Sequence, residues 1–181
     1  MIELFLADGF EEVEAIATLD VIRRCGLDLQ TVGIGGREIR GAHGVTVTAD
    51  ITEEEFTPSP DVDAIILPGG MPGTKNLDAS DTVREALKAA AQGDKLLCAI
   101  CAAPSVLGHN GYLAGKRATC LPGFEGELTG ATYTAESVTE DGNVITGNGA
   151  GSAHLFGEAI AARFVGREAA HQVLLNMQYN A

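Results

Sequence analysis

The sequence predicts an α/β fold with a mostly parallel central sheet covered by helices on both faces, formed as one domain over residues 1–181. Three observations carry that expectation. Short apolar runs of strand length alternate with amphipathic stretches of helix length, the order that builds a parallel sheet. Ala, Gly and aliphatic residues dominate, with 23 glycines, no tryptophan and 5% aromatic residues, which suits closely packed helices better than a β-sandwich. A chain of 181 residues is also long enough to bury a sizeable core.

The elements follow in order. Ile2–Ala7 reads as a buried strand, Asp8-Gly9-Phe10 as a tight loop, and residues 11–25 as a helix stopped by Gly26. That helix is apolar on most sides (Val13, Ala15, Ile16, Ala17, Leu19, Val21, Ile22), which points to more than one packing neighbour and hence to a subunit interface. Leu29–Ile34 is the second strand, Gly35-Gly36 a turn, and residues 45–49 a short alternating strand before an acidic connection. Ala64–Leu67 is a core strand running into Pro68-Gly69-Gly70-Met71-Pro72-Gly73. Asp81–Gln92 is an amphipathic helix with Val83, Leu87 and Ala90 on one face. Residues 95–100 form a strand ending at Cys101, and Pro104 sits where a first helical turn accepts proline. Beyond it come strand candidates at 118–121 and 131–133, a hairpin over 138–146 turning at Asp141-Gly142, and helices at 152–164 and 168–177.

Composition narrows the partners. A formal net charge of −13 disfavours nucleic acid or an anionic membrane surface as the main partner. The chain shows no basic n-region and no apolar run of membrane length, so a cytoplasmic protein is expected, with Cys25, Cys98, Cys101 and Cys120 reduced.

The candidate chemistry centres on Cys101. A cysteine between a buried strand and a helix N-terminus sits where the dipole and free backbone N–H groups favour the thiolate. Ala99-Ile100-Cys101-Ala102-Ala103 also has the small flanking residues of a nucleophile elbow, although a core cysteine ending a core strand reads the same way. In a parallel sheet the site lies beyond the strands' carboxyl ends. The loops after Ala7, Leu67 and Ile100 therefore share one edge, which makes residues 11–14, Gly69-Gly70 and Cys101 neighbours.

Glu11, Glu12 and Glu14 lie in a first helical turn, where the dipole favours carboxylates in any case. Glu14 differs, because its face also carries Ala17, Thr18, Val21 and Cys25, so burial should raise its pKa. Gly69-Gly70 can face backbone N–H groups toward an oxyanion, or can simply be a turn. Gly147 to Gly151 precedes a helix but breaks the GxGxxG pattern, which argues against a nucleotide site. Cys98 and Cys101 form a CxxC whose first member falls inside an apolar strand. His43, His109, His154 and His171 show no metal-ligand spacing, so a metal is not expected.

The segments ADGFEEVEAI, LDVIRRCG, LPGGMPGTKNL, AICAAPSVL and GNGAGSAHLFGEAI together resemble the ThiJ/PfpI superfamily, in the branch of the Parkinson-disease-associated protein deglycase and its bacterial relatives. The resemblance covers nearly the whole chain and implies a flavodoxin-like three-layer α/β/α sandwich and a homodimer. It implies that Cys101 is a nucleophilic, oxidation-sensitive cysteine and Glu14 its protonated partner. Gly70 and Ala102, with Gly69 beside them, would form the oxyanion pocket. Glu11 and Arg24 match a pair that meets across the dimer interface, and Ala150 a loop position presented by the partner subunit.

Two departures narrow the chemistry. Leu121 stands where several relatives have a histidine, and Ala102 follows the cysteine where peptidase-like members have one. The function expected is a cofactor-independent cysteine enzyme acting on a small α-oxoaldehyde or a glycated adduct, of glyoxalase or deglycase type. The alternative is a redox-sensing stress protein that responds through oxidation of Cys101 without turnover.

Overall fold

The computed structural model describes residues 1–179; the expected single domain runs to 181, and residues 180–181 lie outside the described residues. Strand β1 (Ile2–Ala7) leads into helix α1 (Glu12–Arg24) and then strand β2 (Leu29–Ile34). A small hairpin of β3 (Glu38–Arg40) and β4 (Thr46–Thr48) follows, then β5 (Ile51–Thr52) and β6 (Ala64–Leu67). Helices α2 (Gly73–Ala79) and α3 (Asp81–Gln92) precede β7 (Leu96–Ile100) and α4 (Pro104–His109). The short strands β8 (Arg117–Ala118) and β9 (Thr132–Tyr133) pair with each other. Strands β10 (Val138–Asp141) and β11 (Val144–Gly147) and helices α5 (Ala153–Val165) and α6 (Arg167–Asn176) complete the chain.

Seven strands form the main sheet in the order β10-β11-β7-β6-β1-β2-β5. All pairs are parallel except the β10–β11 hairpin. The period-two alternation of each strand sorts its side chains onto two cores. Phe5, Ile65, Leu67, Leu97 and Ala99 pack with Leu77, Val83, Leu87 and Val106 from α2, α3 and α4. Leu4, Leu6, Ile66, Cys98 and Ile100 pack with Ala15, Ile22, Phe156, Ile160 and Ala170 from α1, α5 and α6. The fold is thus the flavodoxin-like α/β architecture expected.

Helix α1 starts where Glu11 caps it, accepting the Glu14 N–H at 2.8 Å, and stops at Gly26 with φ +74. Its inner face packs so closely on α5 that a Cβ at Gly157 would meet Val21 at 3.1 Å and Thr18 at 3.2 Å. Its outer face leaves Val13 50% and Ile16 40% exposed.

Three readings need correction, and one element is additional. Helix α2 occupies residues to which the sequence assigned no element, because the Pro and Gly turn signals before it mask the packing of Leu77. The strand expected over 45–49 is only Thr46–Thr48 and belongs to the hairpin, while β5 joins the main sheet through Val32 and Gly33. The candidates at 118–121 and 131–133 shrink to two residues each.

One buried group predicts a pH effect. Glu3, on β1, is 7% exposed, and its Oε2 has no hydrogen-bond partner among the described residues. Burial pushes its carboxyl up to about 7, opposed by the N-terminal ammonium and reinforced by Asp50. The unfolded chain ionises this group near pH 4.5 while the fold still holds it protonated, so its stability falls between about pH 4.5 and 7. Glu3→Gln is expected to gain up to about 3 kcal/mol at pH 8 and nothing at pH 4, read by urea unfolding. An equal change at both pH values contradicts the assignment.

Candidate active site

Cys101 follows the last residue of β7 with φ +66, a left-handed conformation that is strained for a residue with a Cβ. Two backbone hydrogen bonds hold it there: its N–H donates to Gly147 O at 2.9 Å, and its carbonyl accepts from Leu121 N–H at 2.7 Å. The elbow predicted from small flanking residues is present, with Ala102 and Ala103 buried. The thiol is 8% exposed.

Glu14, in the first turn of α1, is 1% exposed. Its Oε2 accepts the Gly69 N–H at 2.8 Å, while Oε1 has no hydrogen-bond partner among the described residues. Burial pushes the Glu14 carboxyl up to about 7; hydrogen bonds from Cys101 and Gly69 oppose this, and the Glu11 charge adds to it. Burial also pushes the Cys101 thiol up to about 12, and the Glu14 charge and hydrogen bond push the same way. The N–H groups of Ala102 and Gly70 oppose those effects by hydrogen-bonding the sulfur. These directions belong to a pair that resists carrying two negative charges. Burial and their mutual charge thus raise the proton affinity of both groups, so the pair gives up its two protons far apart in pH.

The expected thiolate preference is therefore corrected. Helix α4 spans six residues and starts three positions past Cys101, so its dipole is a small influence beside burial and Glu14. The thiolate forms when Glu14 carries the proton. Gly69 is corrected as well. Its N–H is taken by Glu14, so Gly70 and Ala102 alone present N–H groups to the sulfur. Gly70, at φ +90, is tied into the chain around it, where a Cβ would lie 2.4 Å from Glu11 N.

A sequence model described as the DJ-1/PfpI family matches residues 1–163. The chain belongs to the DJ-1/PfpI family. The chain is 34% identical over 173 residues to protein dj-1beta of Drosophila melanogaster, covering 94% of this chain and 92% of that protein. It is 32% identical to a Caenorhabditis elegans protein named glutathione-independent glyoxalase DJR-1.2, covering 91% of this chain and 88% of that one. Among solved structures, a cysteine-to-alanine mutant of a DJ-1 superfamily protein from Salmonella typhimurium superposes with a TM-score of 0.92 at 33% identity, covering 99% and 98% of the two chains.

In this DJ-1/PfpI chain the remaining expected residues are placed as follows. Glu11 caps α1, and Arg24 pairs with Asp20 at 2.7 Å within the same helix. Ala150 opens a single 3-10 turn ahead of α5. Leu121, 36% exposed, contributes its N–H to the Cys101 carbonyl and no imidazole. Each histidine is engaged elsewhere: His43 with Glu12, His109 with Asp78 and Glu127, His171 with Glu158, and His154 stacked on Tyr179. Cys98 is fully buried, its thiol pushed up by burial, and all four cysteines are free.

Sequence spacing missed one cluster. Glu12 is 9% exposed; its Oε1 accepts the His43 N–H at 2.7 Å, and its Oε2 lies 2.8 Å from His43 Nδ1. With Glu11 these side chains form a group of donor atoms within 4.8 Å of one another. His43 is 31 residues from Glu12, and nothing in the local pattern signals the contact. The arrangement pins the β3–β4 hairpin over α1. Among the described residues no helix is long and apolar enough to cross a membrane.

Proposed function

We propose that this protein converts small α-oxoaldehydes such as methylglyoxal, or adducts formed from them, into hydroxy acids, using Cys101 and Glu14 and no cofactor. The observation that carries this reading is a buried thiol hydrogen-bonded to a buried carboxyl, with two N–H groups at the sulfur. The glyoxalase name of the worm relative supports the same class.

In this reading the Cys101 thiolate adds to the aldehyde carbon and the new C–S bond leaves an alkoxide, held by the Gly70 and Ala102 N–H groups. Glu14 gives that oxygen a proton and, now ionised, takes the C1 proton to form an enediolate, whose C2 oxygen then takes the proton from the C1 hydroxyl. Reprotonation at C2 yields a hydroxy thioester, and water cleaves it to the hydroxy acid and the thiol. Methylglyoxal plus water gives lactate, with no net oxidation.

The exposed Val13 and Ile16 support a homodimer built on α1, with Glu11, Arg24 and Ala150 near the junction. A cytoplasmic setting fits the free cysteines. The second reading, a redox sensor, is favoured by the Glu14 Oε1, which is free of other partners and suited to donate to a sulfinate oxygen on Cys101.

Glu14→Gln decides the role of the acid. Lactate formation from methylglyoxal is expected to drop about 100-fold or more, since an amide cannot move the C1 proton. In the native protein kcat/KM should rise with pH through about 7 as the pair loses its first proton, and the variant should lack that rise. Native turnover in Glu14→Gln contradicts the mechanism.

A further inference from the structure

A cavity of about 430 Å³ lies beside the cysteine loop, lined by Met71, Thr74, Ser105, Phe124 and a polar rim. Three of its lining residues are close in the chain to groups at the thiol. Met71 follows Gly70, and Ser105 Oγ donates to Ala102 O at 2.7 Å. Gly123 lies two residues past Leu121, whose N–H holds the Cys101 carbonyl. A cavity of this size falls in the range of small-molecule sites and far exceeds the needs of a three-carbon aldehyde.

The lining selects the chemistry of an occupant. Phe124 and Met71 offer apolar surface suited to the C–H faces of a carbon chain. At the rim, His109 bridges α2 to the Glu125–Glu127 turn, with Nδ1 at 2.9 Å from Asp78 Oδ2 and Nε2 at 2.9 Å from Glu127 Oε2. Asp78 Oδ1 and Glu127 Oε1 remain without hydrogen bonds among the described residues. Two carboxylate oxygens accept only, so they favour O–H donors and repel a carboxylate or phosphate. Lys75 is exposed and has no ion pair among the described residues, which gives the rim a donor for hydroxyl oxygens. A bare alkyl tail would displace water from this rim without replacing its hydrogen bonds.

We propose that the cavity is a subsite for the hydroxylated chain of a sugar-derived α-oxoaldehyde, extending the substrate beyond the carbons that react at Cys101. The inference rests on the glyoxalase reading and names the substrate class for that site. Chain hydroxyls donate to Asp78 and Glu127 and accept from Lys75, while Phe124 covers the carbon backbone.

The test compares kcat/KM for 3-deoxyglucosone, a six-carbon α-oxoaldehyde with a hydroxylated tail, against methylglyoxal. The ratio is expected to fall about 10-fold in both Phe124→Ala and Asp78→Asn, the loss of one good contact. Because Phe124 is partly buried, Asp78→Asn at the rim keeps the test independent of folding. Separately, xylitol titrated into the Cys101→Ser protein should shift the amide resonances of Met71, Lys75 and Phe124. An unchanged ratio in both variants, or no xylitol shifts at these residues, overturns the proposal. If the native protein turns over neither aldehyde, the glyoxalase reading fails, and the xylitol titration alone decides the cavity.

Discussion

Lactate formation from methylglyoxal is expected to vanish in Cys101→Ser, a loss of about 1,000-fold or more in kcat/KM. A serine hydroxyl must lose its proton to attack and holds it far more tightly than a thiol, so the Glu14 that can take the thiol's proton takes the hydroxyl's poorly. Glu14 holds its own proton up to about pH 7, and every histidine is engaged elsewhere in the fold. The substitution replaces sulfur with the smaller oxygen at a site 8% exposed, so folding should survive. Thermal unfolding run in parallel separates lost chemistry from lost structure. Native turnover in the serine variant sinks the glyoxalase reading. Where the native protein gives no lactate, mild peroxide and peptide mapping take over. Oxidation concentrated at Cys101 then supports the sensor, whereas modification spread equally over Cys25, Cys98 and Cys120 leaves neither reading standing.

The serine prediction was within reach of the sequence, because Cys101 and Glu14 become neighbours by topology alone. Strands β1, β6 and β7 are continuous apolar runs, and parallel order puts their carboxyl ends at one edge. What a one-dimensional pattern cannot carry is the contact of a specific atom. The sequence placed Gly69 and Gly70 together as N–H donors to an oxyanion. In three dimensions their N–H groups diverge, one to Glu14 Oε2 and one to the sulfur. The thiol's proton affinity was misread for a related reason. A helix start is visible in a sequence, but the depth at which the thiol and the facing carboxyl are buried is not. Helix α2 was hidden by its own turn residues, and the His43–Glu12 contact by its 31-residue separation. The function is legible only through the resemblance, since a thiol and an acid at strand ends specify a site and not a substrate.

Gly69→Ala is expected to disable the site without touching either reactive side chain. An ideal Cβ at residue 69 would lie 2.7 Å from Cys101 Cβ, 2.7 Å from Glu14 Oε2 and 3.1 Å from Ala102 N. None of these atoms can retreat cheaply. Cys101 is fixed by Gly147 and Leu121, and Glu14 is buried against the Gly69 N–H itself. Overpacking of this kind costs about 1–3 kcal/mol. The relief open to the protein is to push thiol and carboxyl apart, and a displacement near 1 Å is enough to cost about 100-fold in rate. Gly126→Ala is the matched control, since a Cβ there meets nothing within 4 Å and the stability change should stay within about 0.5 kcal/mol. Urea unfolding and kcat/KM measured on both variants separate the two costs. A Gly69→Ala protein with native stability and native turnover would show that the thiol and the carboxyl need not be held together, and the shared-proton mechanism would fall with it.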